Sequence, residues 1–148
     1  MDQYLEFISN HSMLFLALAV VTFLLIKEFM ETAFSPFQNL SPMNVVVKMN
    51  SDNLMIVDVR EPHEFILGHI ENALNLPLGK LKDQINTLDK YKNKDILLVC
   101  QSGTRSAPAC KTLLAAGFEK VFNLDGGMQA WEDNKFPIKI TSKNKAAA

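Results

Sequence analysis

The chain contains 148 residues, of which 48% are hydrophobic and 21% charged, and its formal net charge is -1. This length allows one domain of ordinary size with its own core, together with a short appendage. The nearly neutral charge and the absence of a basic tract give no electrostatic basis for nucleic-acid binding, so we expect no nucleic-acid partner. The two cysteines, Cys100 and Cys110, do not form the disulfide framework of a secreted domain.

The N-terminal stretch from Phe7 to Ile26 contains no charged residue. Twenty residues of helix rise about 30 Å, which is enough to cross the hydrocarbon core of a membrane. Apolar residues surround the whole helix from Leu14 to Ile26, so an amphipathic helix of a soluble protein fits poorly. A cleaved signal peptide is the rival interpretation, but the segment from Met1 to Glu6 is acidic and no small-x-small cleavage site follows clearly. We therefore predict a single-pass membrane anchor over residues 1–30.

The first elements after the anchor present conflicting signals. Three consecutive valines, Val45 to Val47, favour a strand by composition. Ser41 and Pro42 just before them are a strong helix start, with Ser41 as the N-cap and Pro42 at the first helical position. We predict a short strand from Phe37 to Leu40 and a helix from Pro42 to Met49.

Strands and helices alternate through the rest of the chain. The predicted strands are Leu54 to Val59, Ala73 to Leu76, Asp95 to Val99 and Val121 to Leu124. The predicted helices are Leu78 to Leu88, Ala107 to Ala116 and a last one bearing Trp131. This alternation predicts an α/β fold with a parallel sheet of about five strands, helices on both faces and right-handed crossovers. A ligand then binds outside the carboxyl ends of the strands.

Charged side chains stand at the end of the second predicted strand. We interpret Arg60 as the partner of Asp58, Glu61 or Glu64 in a structural ion pair, because such pairs fix loop geometry at a strand end. This places Asp58 and Arg60 near the site without a catalytic role.

Two histidines in the same region do not indicate a metal site. His63 and His69 have no cysteine near them in sequence, and His69 fits a turn residue that donates to the backbone. We expect neither a metal nor a cofactor.

The segment from Cys100 to Ser106, Cys-Gln-Ser-Gly-Thr-Arg-Ser, connects a predicted strand with a predicted helix. At such a connection the cysteine sulfur lies within a bowl of backbone N–H groups. The dipole of the following helix and the amide dipoles of the loop both favour the thiolate, which is the nucleophile. Arg105 adds a fixed cation at the rim, suited to a sulfonate, phosphate or carboxylate. We therefore predict Cys100 as a nucleophile rather than a small buried hydrophobe.

The length of this loop bears on the chemistry. The spacing from Cys100 to Arg105 is Cys-x4-Arg, one residue shorter than the Cys-x5-Arg loop with which tyrosine phosphatases wrap a phosphoryl group. The shorter loop favours sulfur transfer. An arsenate reductase or phosphatase activity stays open as an alternative.

Three separated motifs resemble the rhodanese family of sulfurtransferase domains. The first is the six-residue Cys-x-x-Gly-x-Arg loop. The second is Asp58-Val59-Arg60-Glu61-Pro62-His63-Glu64-Phe65, followed by Gly68-His69-Ile70, Ala73, Asn75 and Pro77. The third is Leu124-Asp125-Gly126-Gly127-Met128-Gln129-Ala130-Trp131, which is similar to the closing Gly-Gly-x-x-x-Trp of the family. The resemblance spans about Asn39 to Pro137 and implies the three-layer rhodanese fold.

The resemblance also implies a double-displacement reaction. The Cys100 thiolate takes the outer sulfur of thiosulfate or a persulfide donor, and a second nucleophile then removes it: cyanide in vitro, a thiol or a protein in the cell. Ser102, Thr104 and Arg105 would hold the oxyanion of the donor. The terminal sulfur would be stabilised by N–H groups of the whole loop: Gln101, Ser102, Gly103, Thr104, Arg105 and Ser106.

Two non-enzymatic alternatives stay open at this point. One is a membrane-tethered persulfide carrier or docking module with little turnover of its own. The other is a role in membrane assembly in which the apolar segment is the functional part.

Cys110 shares a helix face with Ala107, Leu113 and Leu114, which is the pattern of a core residue. A role as a resolving thiol toward Cys100 is the alternative interpretation.

The predicted organisation is an anchor over residues 1–30, a linker over 31–38, the rhodanese domain over 39–138 and a disordered tail over 139–148. Every Lys and Arg follows the apolar run, beginning with Lys27, which favours a cytoplasmic domain. A catalytic thiol also requires a reducing compartment, which favours the same orientation.

Overall fold

The computed structural model describes residues 11–33, 35–51 and 53–141. The chain divides into two compact units, Met1–Ser35 and Pro36–Ala148. The first unit contains helix α1, Ser12–Ala33. Among the described residues, one helix is long and apolar enough to span a membrane, over Ser12–Met30, and its side chains are exposed. Such a helix near the N-terminus fits a membrane anchor or a signal sequence; the first residues of the predicted apolar stretch, 7–10, lie outside the described residues.

The second unit contains a five-stranded sheet. Its strands are β1 Gln38–Leu40, β2 Leu54–Asp58, β3 Leu74–Asn75, β4 Asp95–Val99 and β5 Val121–Leu124. Its α-helices are α2 Pro42–Met49, α3 Pro62–Leu67, α4 Leu78–Gln84, α5 Ser106–Ala115 and α6 Gly127–Asp133. All neighbouring strands pair in parallel in the order β1-β5-β4-β2-β3. This confirms the predicted α/β fold with a parallel five-stranded sheet.

The valine-rich segment is helical, as the N-terminal signal predicted. Ser41 has an extended backbone, and its hydroxyl accepts the backbone N–H of Asn44 at 3.4 Å. Val45 is fully buried on the side of α2 that packs against the sheet. The cap and the burial of one face therefore override the strand propensity of the valines.

The helix predicted from Leu78 to Leu88 was wrong in its second half. The α-helix ends at Gln84, and a 3₁₀-helix continues over Ile85–Tyr91. The hydroxyl of Thr87 donates to the Gln84 carbonyl at 2.7 Å, which offers that carbonyl a local partner other than an α-helical N–H. Leu88 is fully buried, as its place in the apolar repeat predicted, although it lies in a 3₁₀-helix and not in an α-helix.

Alternate residues of the central strands pack into two separate cores. One core contains Val57, Ile96 and Leu98 with Cys100 and residues of α4 and α5; the other contains Ile56, Leu97 and Val99 with residues of α2 and α6. Because successive strand residues point to opposite faces, the two cores lie on opposite sides of the sheet. The result is the predicted three-layer arrangement.

The end of the described chain returns to the domain. Lys139 exchanges two backbone hydrogen bonds with His69, at 3.0 and 2.8 Å, and the N–H of Thr141 donates to the carbonyl of Ile66. The predicted disordered tail therefore begins too early at residue 139. Residues 142–148 lie outside the described residues.

Candidate active site

The carboxyl ends of three strands meet at one edge of the sheet. Asp58 ends β2 and is paired in register with Val99, which ends β4, while Leu124 ends β5. Cys100 follows β4 directly, so its loop begins at the edge where an α/β sheet places its ligand.

The sulfur of Cys100 lies inside its own loop. The N–H of Gly103 donates to Sγ at 3.0 Å, and the hydroxyl oxygen of Ser106 lies 3.3 Å from it. Burial raises the pKa of Cys100, but hydrogen bonds from the Ser106 hydroxyl and from the N–H groups of Ser106, Ser102 and Gly103 together hold the pKa below its usual value. Cys100 itself is fully buried, so any reactant must enter the loop to reach its sulfur.

A polar chain extends from this sulfur into the sheet. The Ser106 hydroxyl lies 2.5 Å from Asn123 Oδ1 and 3.3 Å from the Gly103 carbonyl. Asn123 Nδ2 in turn donates to Asn39 Oδ1 at 2.9 Å. Sequence reasoning missed Asn123 and Asn39, although a lone polar residue within the apolar Val121–Leu124 strand was a usable signal for the first.

The start of α6 supports the loop from behind. The N–H of Met128 donates to the Cys100 carbonyl at 2.8 Å, and the N–H of Gln129 donates to the Gln101 carbonyl at 3.0 Å. This approach requires glycine at position 127, because a Cβ there would collide with the Cys100 carbonyl oxygen and the Gln101 backbone, and φ is +59°. The absence of a side chain at Gly127 thus allows the start of α6 to pack directly against the loop.

Arg105 is paired with a carboxylate from another element. Its Nη1 and Nη2 donate to Glu64 Oε2 and Oε1 at 2.8 and 2.7 Å, in a bidentate pair. The hydrogen bonds from Arg105, opposed by burial and helped by the N–H of Glu61, lower the pKa of Glu64 to about 2. Sequence reasoning considered Glu64 only as a partner of Arg60 and did not connect it with the loop.

Arg60 joins the end of β2 to the same loop. Its Nε and Nη2 bind the carboxylate of Asp58, at 2.7 to 3.0 Å, and Nη2 also donates to the Gly68 carbonyl. Its Nη1 donates to Gln101 Oε1 at 3.1 Å. Asp58 and Arg60 are both buried, and Asp58 is the partner that the structure selects among the three considered.

The mouth of the loop carries exposed polar side chains. Ser102 and Thr104 are exposed, and their hydroxyl oxygens lie 3.0 Å apart. Gln101 is exposed beside them. The predicted substrate-binding residues 101–106 thus surround the sulfur or its entrance, and their binding roles stay predictions.

A family model for the rhodanese-like domain matches residues 42–134. The chain belongs to the rhodanese-like domain family. The matched segment runs from the first residue of α2 into the end of α6, and therefore includes the Cys100 loop with its supporting turn.

Two curated relatives show different extents of similarity. Thiosulfate sulfurtransferase 18 of Arabidopsis thaliana is 41% identical over 103 residues, which cover 62% of this chain and 76% of that protein. The uncharacterized protein YibN of Escherichia coli strain K12 is 26% identical over 140 residues, covering 93% of this chain and 97% of that protein. An alignment of that extent includes most of α1 as well as the rhodanese-like domain.

Solved structures agree with the fold. A rhodanese-like domain protein from Staphylococcus aureus is 33% identical, with a TM-score of 0.64, and the match covers 72% of this chain and 100% of that chain. The family model and the sulfurtransferase relatives together place this rhodanese-like domain in a sulfurtransferase family.

Proposed function

We propose that the protein is a sulfurtransferase that carries sulfur as a persulfide on Cys100. The observation that supports this most directly is the position of Sγ, which receives the Gly103 N–H and the Ser106 hydroxyl inside a loop of six residues. These donors favour an anionic sulfur. They suit a thiolate before transfer and a terminal persulfide anion after it.

The first half-reaction is a displacement at sulfur. The Cys100 thiolate attacks the outer sulfur of the donor and forms a new S–S bond. The donor's own bond to that sulfur breaks, and the electron pair leaves with sulfite when the donor is thiosulfate. A thiol, a protein or cyanide then attacks the outer sulfur of the persulfide and regenerates the thiolate.

The loop contributes mainly by electrostatic stabilisation. N–H groups at the amino end of α5 face the growing negative charge, and they are held in place before the reaction because α6 fixes the Cys100 and Gln101 carbonyls. Ser102, Thr104 and the N–H groups of Arg105 that Glu64 leaves available are the groups that would contact the rest of the donor.

The test uses the full chain, reduced and held in detergent, incubated with thiosulfate and examined by intact mass. We expect one added sulfur atom, which cyanide removes as thiocyanate. Cys100→Ser should abolish both signals, while Cys110→Ala should keep them, because Cys110 is buried and burial raises its pKa to about 12. An unmodified Cys100 in folded protein with both thiosulfate and a persulfide donor would refute the proposal.

A stable persulfide that cyanide and thiols discharge only slowly would favour the carrier alternative over the enzyme. The same samples decide this question, because formation and discharge of the added sulfur are measured separately.

We also propose that α1 anchors the protein in a membrane with the domain on the cytoplasmic side. The proposed boundaries are those predicted from the sequence, except that residues 139–141 belong with the domain. The exposed and mostly apolar surface of Ser12–Met30, which carries no charged residue before Lys27, supports the anchor. The requirement for a reduced thiol supports the orientation. We expect the full chain to stay in membranes that have been washed with carbonate. In intact cells the domain should resist added protease, and it should be cleaved once the cells are broken and the cytoplasmic face of the membrane is accessible. Release into the wash would contradict the anchor.

A further inference from the structure

The two donor classes considered for Cys100 differ in charge. Thiosulfate is a dianion, whereas a simple alkyl persulfide carries at most one negative charge. Discrimination between them therefore depends on the net charge that the mouth of the loop presents.

Glu64 is bound at both of its carboxylate oxygens. Oε1 accepts from Arg105 Nη2 at 2.7 Å, and Oε2 accepts from Arg105 Nη1 at 2.8 Å and from the N–H of Glu61 at 3.1 Å. The last bond ties the carboxylate to the amino end of α3. Glu64 is therefore a fixed part of the rim, held from its own helix as well as from the loop.

This pair compensates the positive charge next to the nucleophile. The chain has two arginines, Arg60 and Arg105, and both lie at the Cys100 loop. Arg60 is paired with Asp58, and Arg105 is paired with Glu64. An incoming dianion can therefore accept hydrogen bonds from Arg105, but the positive charge of Arg105 is already balanced by the carboxylate of Glu64.

We infer that Glu64 is a specificity-determining residue that biases the Cys100 loop toward singly charged persulfide donors and against thiosulfate. The inference rests on the proposed sulfur transfer. With a persulfide donor the reaction is E–S⁻ + R–S–S⁻ + H⁺ → E–S–S⁻ + R–SH, and with thiosulfate it is E–S⁻ + S₂O₃²⁻ → E–S–S⁻ + SO₃²⁻. The thiolate forms the new S–S bond in both cases, and the electron pair leaves with the thiol or with sulfite.

The experiment measures the second-order rate constant for adding one sulfur to Cys100, in the full chain in detergent, with thiosulfate and with hydroxyethyl persulfide. The observable is the ratio of the two constants, because the intrinsic reactivity of each donor cancels when variants are compared. Removing one negative charge near the mouth acts twice as strongly on a dianion as on a monoanion. We therefore expect Glu64→Gln to raise the thiosulfate-to-persulfide ratio about three- to fivefold at low ionic strength.

A second variant moves the ratio in the opposite direction. Arg105→Gln leaves the Glu64 carboxylate uncompensated, so the ratio should fall by a similar factor, and this variant keeps the test available if Glu64→Gln does not fold. Glu119→Gln is the matched control, since it removes the same charge before β5, at the opposite edge of the sheet. Both ratios should move back toward the wild-type ratio at about 0.5 M salt, because salt screens the interaction of these half-buried charges with a donor that arrives from solution.

The outcomes separate this inference from the proposed function. If the wild-type protein accepts no sulfur from either donor, the proposed function fails. If it accepts sulfur, but Glu64→Gln slows both donors equally or leaves a ratio that salt does not change, Glu64 only supports the loop and the specificity role is overturned.

Discussion

The hydroxyl oxygen of Ser106 lies 3.3 Å from the sulfur of Cys100 and 2.5 Å from Asn123 Oδ1. A hydroxyl has one proton to donate, so these two acceptors compete for it. When Cys100 is a thiolate, the charged sulfur is the stronger acceptor. Ionisation of Cys100 is thereby connected to the side chain of Asn123 in β5.

Replacing Ser106 with alanine removes a donor that lowers the pKa of Cys100. A hydrogen bond to a charged group contributes about 1.5–3 kcal/mol, so we expect persulfide formation near neutral pH to slow about tenfold or more. Because the pKa of Cys100 rises in the variant, the loss should be largest at low pH and should diminish as pH increases. A pH profile of persulfide formation measures this. Ser106→Thr keeps the hydroxyl and serves as the control; an equal loss at every pH would contradict the explanation.

Asn123 is hydrogen-bonded to two polar side chains, the buried Ser106 and the exposed Asn39. Asn123→Leu leaves the Asn39 amide oxygen without this donor and the Ser106 hydroxyl without its acceptor in the sheet. We expect a loss of about 1–3 kcal/mol in the free energy of unfolding. Denaturant unfolding of the full chain in detergent, followed by the fluorescence of Trp131, measures the loss. Unchanged stability would mean that the polar chain is not needed for folding.

Gly127 is expected to be intolerant of a side chain. Gly127→Ala combines a positive φ of +59° with a collision against the Cys100 and Gln101 backbone. Gly117→Ala is the matched control, since φ is +89° there but nothing lies within 4 Å of the added Cβ. We expect the control to lose about 1–2 kcal/mol and to retain sulfur transfer, and Gly127→Ala to lose about 3 kcal/mol or more together with most of its activity. Equal effects of the two substitutions would show that the contact with the loop is unimportant.

The pair of Glu64 and Arg105 should make stability depend on acid pH. The pKa of Glu64 is lowered from 4.5 to about 2 in the folded protein, so its contribution is complete above about pH 5 and is lost as the pH falls toward 2. The stability difference between the wild-type protein and Glu64→Gln should therefore be constant near neutral pH and decrease between about pH 4.5 and pH 2. Unfolding measured across that range tests the expectation. A difference independent of pH would refute it.

Local signals in the sequence were sufficient for most of the fold. Ser41 and Pro42 predicted α2 against three valines, and the alternation of strands with helices predicted a parallel sheet. The second half of the α-helix predicted from Leu78 was wrong, because the chain forms a 3₁₀-helix there. The Thr87 hydroxyl bonds to the Gln84 carbonyl, and the spacing of apolar residues does not predict such a local hydrogen bond.

The parts of the site that were predicted are the contiguous Cys100 loop and the pair of Asp58 and Arg60 at the end of β2. The loop from Cys100 to Ser106 could be read as one motif, and the burial of Cys100 follows from its place directly after β4. Glu64 and Asn123 come from other elements, and Glu64 was considered only as one of three possible partners of Arg60. Pairing across such separations depends on strand order, which local sequence patterns do not encode.

The bond from the Met128 N–H to the Cys100 carbonyl joins the proposed nucleophile to α6, which has no role in the proposed reaction. The amide proton of Met128 is therefore a natural reporter of the active site. The nuclear magnetic resonance frequency of this proton should change when Cys100 gains or loses the transferred sulfur atom, because the carbonyl that accepts this proton belongs to the modified residue. Turnover could then be followed without mutating Cys100 or attaching a probe to it. The Met128 amide lies behind the loop, where it does not obstruct an incoming donor.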